Sequence, residues 1–165
     1  MPTAVPVGAE FEPWNREARA ILSDGLETLR TFEAYAAFRV STADQSERRA
    51  PTDLAWDPPS NADWTEATHV ARGLHGRAEQ LEQRVSTATV DPVTWRQQRD
   101  LAAWTHELVD LGDMLKAYRD RIDRLPVGSD ATQLWSALDA VWQRWDTSAA
   151  HWGVSRAEPV VCAPS

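Results

Sequence analysis

Glu66 and His69 stand three residues apart. This Glu-x-x-His spacing supplies carboxylate-bridged di-metal centres from the inside of four-helix bundles. Such a centre needs a second Glu-x-x-His and two further inward carboxylates, and the chain has no second copy. His106, Asp110 and Asp113 fall at i, i+4 and i+7, so one outer face of a helix carries all three. A facing carboxylate would complete a weak divalent-cation site there, and the His–Asp pair has the parts of a proton shuttle. Polar stripes of this spacing are common on solvated helix faces. Both groups are therefore weak metal candidates, and the expectation is a chain without metal or other cofactor.

Other chemistry has less to draw on. Ser, His and Asp are present, but without a nucleophile elbow, an ordered triad spacing or a Gly-rich turn to form an oxyanion hole. No phosphate-cradling or dinucleotide fingerprint appears. Cys162-Ala163-Pro164-Ser165 has the position and length of a prenylation box, yet proline suits its third place poorly and no polybasic segment precedes it. A free thiol in a tail is the simpler account.

The formal net charge is −8, from 17 basic and 25 acidic residues. That balance works against a large phosphate-binding footprint, so no nucleic-acid partner is expected. An acidic helical protein could instead bind a basic protein and block it. Lys116 is the only lysine, and the arginines spread over the whole chain as in the proteins of a GC-rich genome. No apolar run approaches a membrane span, and the N-terminus lacks the order of a signal peptide. With a single cysteine, these features point to a reducing cytoplasm and no membrane partner.

The elements that must position these residues are set by apolar spacing. One seam runs Trp64, Ala67, Ala71, Leu74, Ala78, Leu81, Val85. A second runs Leu101, Trp104, Leu108, Leu111, Leu115, Tyr118, Ile122, Leu125, and a third Trp135, Leu138, Trp142, Trp145, Ala149, Trp152. Alternating steps of three and four keep one side of a helix facing its partners. The fold class predicted is all-α, an antiparallel four-helix bundle with coiled-coil-like packing of helices two to four.

Helices are predicted at about 13–40, 61–88, 92–125 and 130–152. Residues 1–12 form an extended lead, 41–60 a long loop and 154–165 a flexible tail. Pro13 suits a first helical position, Ser60 or Asn61 caps the second helix, Asp91-Pro92 opens the third, and Gly153 stops the fourth. The first helix shows a broader face of Trp14, Ala18, Ile21, Leu22, Leu26, Leu29, Phe32 and Ala36.

Six of the nine tryptophans lie on the seams, where burial explains them. The fourth helix carries more indole than a neat core needs, which makes Trp135, Trp142, Trp145 and Trp152 candidates for receiving a partner or an apolar ligand. Leu54 and Trp56 are stranded in the long loop, either folded back as a plug or offered as an anchor. Gly73 and Gly76 lie on the outward side of the second helix, where a close backbone approach by the first helix or an external one would repay their cost.

Three functions fit. The first is a non-enzymatic interaction module, an adaptor, assembly subunit or acidic inhibitor, with a protein partner or self-association through helix faces and the 41–60 loop. The second is a bundle that binds a small apolar or aromatic ligand in a Trp-rich interior. The third is a metal-dependent enzyme using His106 or His69 with neighbouring carboxylates.

Overall fold

The computed structural model describes residues 11–44, 59–124 and 132–156. Leu54, Trp56, Cys162 and the join at 126–129 lie outside the described residues. Four helices are present, α1 (Glu12–Asp44), α2 (Asn61–Thr87), α3 (Trp95–Arg124) and α4 (Thr132–His151), with a 3₁₀ turn at Pro92–Thr94 before α3. The chain is an all-α four-helix bundle, and among the described residues there is no strand.

Successive helices run antiparallel. Trp64 near the start of α2 meets Phe32 late in α1, whereas Arg77 further along α2 reaches back to Asp24 and Glu17. Arg119 late in α3 reaches Thr68 early in α2, and His106 meets Glu82. Tyr118 donates to the Leu134 carbonyl at the start of α4, while Trp104 packs on Trp152 at its end. α1 closes the ring against α4, where the Trp145 indole donates to the Leu22 carbonyl at 2.8 Å.

The predicted seams are the buried faces. All of Ala67, Ala71, Leu74, Ala78, Leu81 and Val85 are buried on α2. On α3 the buried set is wider than its seam and adds Thr105, Val109, Gly112 and Arg119, because this helix packs closely against α2 as well as α4. The broad face of α1 is buried too, with Trp14 partly covered at its edge.

Helix ends depart from expectation in instructive ways. Phe11 is 1% exposed and Glu12 is already helical, so the lead ends earlier than predicted: the Phe11 ring finds cover against Trp14 and the core. α1 continues through 41–44, where Ser41 and Thr42 had suggested a loop. Weak helix formers at a terminus cost a few tenths of a kcal/mol each, less than a continuing turn can gain. Ser60 is the α2 cap, its hydroxyl accepting from the Asp63 N–H at 3.1 Å. Asp91 opens the next element through its carbonyl and not its carboxylate: that oxygen accepts from both the N–H and the hydroxyl of Thr94.

Gly153 takes φ 72°, the left-handed C-terminal stop that glycine tolerates without strain. The N–H of Val154 bonds the Ala149 carbonyl at 3.0 Å and that of Gly153 the Ala150 carbonyl at 3.4 Å, a Schellman closure. The segment beyond it is not a loose tail at its start. Arg156 forks onto Asp146 at 2.9 and 2.6 Å, lies 4.0 Å over the Trp142 ring, and gives its carbonyl to Arg30. The Asp146 hydrogen bond raises the Arg156 pKa against a smaller desolvation penalty.

One buried polar group opposes this packing. Ser148 is wholly buried, and its hydroxyl has no hydrogen-bond partner among the described residues. Removing an unsatisfied buried donor relieves a desolvation cost, so Ser148→Ala is expected to raise stability by about 1 kcal/mol. Urea melts followed by circular dichroism check this, and a lower midpoint would mean the hydroxyl is bonded after all.

Candidate functional site

The sequence-predicted polar groups fall into separate places. Glu66 and His69 are both exposed on α2. Glu66 lines a shallow groove of about 240 Å³ between α1 and α2, shared with Asp24, Glu27 and Asp63. Asp24 is already engaged by Arg77 at 2.6 Å. Burial works to lower the Arg77 pKa, but the hydrogen bond it donates to Asp24 and the charges of Glu17 and Asp24 outweigh it and hold the guanidinium above its ordinary value.

His106, Asp110 and Asp113 do not converge. His106 reaches across to Glu82 of α2 at 3.2 Å, and Asp113 lies 2.7 Å from His75 Nδ1. That second contact has ion-pair distance but poor alignment for a hydrogen bond. Asp110 is half-buried between them. The stripe is therefore split into rungs that tie α3 to α2, with Arg72–Asp120 at 3.7 Å and Arg119–Thr68 at 2.7 Å continuing the series. Among the described residues no group of three or more His, Cys, Asp or Glu side chains could hold a metal ion.

Two further rungs were not foreseen. His151 of α4 stacks on Trp104 at 4.9 Å and 12°, with Nε2 3.2 Å from Glu107. Arg119, only 8% exposed, bonds Asp123 and lies 4.6 Å over the Trp64 ring. Each partner comes from another helix or from the next turn, so spacing along one helix gave no sign of most of them.

The indole face of α4 points inward. Trp145 and Trp152 are fully buried and Trp142 is 6% exposed, while Trp135 is partly buried against the core. This is the core placement that the seam positions imply, and it leaves Trp142, Trp145 and Trp152 little surface to offer a partner: α1 and α3 need large side chains to fill the gap on either side of α4. None of them lines the grooves described on this surface.

The glycines are also reassigned. A Cβ on Gly73 or Gly76 would meet nothing within 4 Å, so α1 does not lie against that strip. α1 meets α2 beside the strip and not on it, through Arg77 and Trp64. Each glycine in an exposed helix interior costs about 1 kcal/mol against alanine. Gly73→Ala and Gly76→Ala are therefore expected to stabilise by somewhat under 1 kcal/mol each, read as higher midpoints in calorimetry. Destabilisation by either would show that the strip is covered.

What the surface does offer lies at the turn between α2 and α3. Val93 is 84% exposed and Trp95 60%, the exposed large hydrophobics among the described residues. Trp95 stands on the first turn of α3, away from its seam. It forms one wall of an open groove of about 420 Å³ completed by Ser86, Gln98, Arg99 and Ala102. Gln98 holds the floor rigid: its side-chain amide donates to the carbonyls of Val85 and Ala88, both at 2.7 Å, and so ties the end of α2 to the start of α3.

No protein-family model, curated protein or solved structure matches the chain.

Seam periodicity marks indoles at buried positions and gives no sign of an exposed one at the hairpin end. The usable signal is the converse: Trp95 sits off every seam, beside Val93 in a turn, and is 60% exposed, with no helix among the described residues covering it. Among the described residues no helix is long and apolar enough to cross a membrane.

Proposed function

We propose that this protein is a non-enzymatic interaction module, an adaptor or assembly subunit, that engages a protein partner through the α2–α3 hairpin end. The observation that carries this reading is the exposure of Trp95 and Val93 beside a rigid groove. Tryptophan is over-represented among residues that dominate binding energy, and a Trp anchored at a helix start with a pre-formed neighbour loses little entropy on docking. The histidines and carboxylates support the same reading, since three His–carboxylate pairs cross between helices and so act as ties within the bundle.

The test is site-specific photocrosslinking in the native cell. A benzophenone side chain at position 93 is expected to trap a discrete partner, and Trp95→Ser is expected to remove that adduct. The same probe at His69, exposed on α2, serves as the control. Equal trapping at both positions, or none at 93, would overturn the proposal.

A further inference from the structure

We infer that the groove beside Trp95 receives an acidic segment of a partner protein, with an apolar side chain laid on the indole and a carboxylate on Arg99. This rests on the hairpin end being the docking surface and adds the chemistry of what docks. Arg99 is the single charged residue lining the groove, and the other walls are the Ser86 hydroxyl, the Gln98 amide, the Ala102 methyl and the indole. Arg96 follows Trp95 directly but lies about 100° further round the helix, and Arg84 of α2 lines a separate groove with Trp14 and Glu17.

Arg16, Arg30, Arg72, Arg77, Arg119 and Arg156 each meet a carboxylate within 4 Å. Arg99 meets none among the described residues, which leaves its guanidinium in the groove open to a partner's carboxylate, and in this it is like Arg19, Arg84, Arg96, Arg121, Arg124 and Arg144. Asp100 follows Arg99 in sequence but lies about 100° further round the helix, away from the groove. Asp91 is exposed in the turn before Val93.

The overall charge of −8 does not oppose an acidic segment at this spot. Exposed charges further off than a Debye length, about 8 Å at physiological ionic strength, are largely screened, so the guanidinium in the groove sets the local preference. A planar guanidinium also grips a carboxylate with two parallel hydrogen bonds. A second copy of this chain fits less well. A two-fold contact through Trp95 would set Arg96 and Arg99 against their own counterparts. Nucleic acid fits less well too, because neutralising a phosphate backbone takes a longer basic track than one groove provides.

The experiment uses the full chain and three short labelled peptides that share the same Leu and Phe residues, flanked by Glu, by Ser or by Lys. Fluorescence anisotropy reads binding, and sedimentation of the unlabelled protein reads self-association. The Glu peptide is expected to bind best, with affinity falling about tenfold in Trp95→Ser and in Arg99→Glu. Arg99→Glu is further expected to shift the preference to the Lys peptide. Both positions are exposed, so unchanged melting curves certify the variants as folded.

If the Ser peptide binds as well as the Glu peptide and Trp95→Ser weakens both, the hairpin end docks proteins but the acidic assignment is wrong. If no peptide binds, or Trp95→Ser changes nothing, the groove is not the docking surface. A dimer dissolved by Trp95→Ser would give the groove to a second copy. Competition by oligothymidylate that Arg99→Glu abolishes would give it to nucleic acid.

Discussion

Trp145→Ala is expected to cost on the order of 4 kcal/mol, the largest effect of any single substitution considered for this fold. The indole is fully buried, packs edge-on to Trp142 at 6.2 Å and 78°, and sits 3.6 Å from where a Cβ on Gly25 would lie. Its N–H also donates to the Leu22 carbonyl. Truncation thus removes apolar area, leaves a cavity between α1 and α4, and deletes a tie between helices 123 residues apart in sequence. Total stabilities of 5–15 kcal/mol are usual, so a loss of about this size brings the protein close to unfolding.

The melting temperature is expected to fall by roughly 10 °C for a chain of this length. Trp145→Phe separates the two contributions: it keeps most of the area, loses the hydrogen bond, and is expected to cost about 1–2 kcal/mol. Urea denaturation followed at the far-ultraviolet helix signal measures both. A cost below about 1 kcal/mol for Trp145→Ala would mean that the indole is not core.

Gly112→Ala is expected to destabilise by about 2 kcal/mol, against the usual direction for glycine in a helix. A Cβ at this position would stand 2.6 Å from both the Cα and the backbone nitrogen of His75. Backbone cannot swing aside as a side chain can, so α2 and α3 would have to separate along their length. That movement would also loosen the His75–Asp113 rung directly beside it. The helix-propensity gain of about 1 kcal/mol offsets only part of the overpacking cost, which contact with backbone places near the upper end of the usual range of about 1–3 kcal/mol.

The comparison with Gly73 and Gly76 makes the argument sharp. Three glycines in helices, changed to the same residue, are expected to shift stability in opposite directions: up for the two facing open space, down for the one facing backbone. Calorimetry on the three single variants reads the sign directly. A stabilised Gly112→Ala would show that α2 and α3 do not approach as closely as described.

These glycines also show where sequence reasoning reached its limit. Gly73 and Gly76, two glycines about one turn apart on an outward face, suggest a close neighbour. Gly112 carries no such signal, since it lies just off the α3 seam between Leu111 and Asp113. What distinguishes it is the position of another helix, and α2 has no marker in sequence that points at residue 112. The histidines repeat the lesson. His106 and Asp113 share a helix face and looked like one site, yet each is drawn to a different α2 residue, Glu82 and His75.

By itself, the chain determined its helices and which side of each is buried. Alternating three- and four-residue spacing is a local property, enforced wherever one face of a helix must leave water, and the seams on α2, α3 and α4 are read from it without knowing any partner. Ser60 and Gly153 are likewise local, because capping is settled by the residue and its nearest turn. Tertiary structure decided the rest: that the Trp145 indole donates to the Leu22 carbonyl of α1, that Gly112 and not Gly73 meets a backbone, and that Trp95 stays uncovered at the hairpin end. Those outcomes depend on distances between residues far apart in the chain, and such distances exist only once the helices have packed.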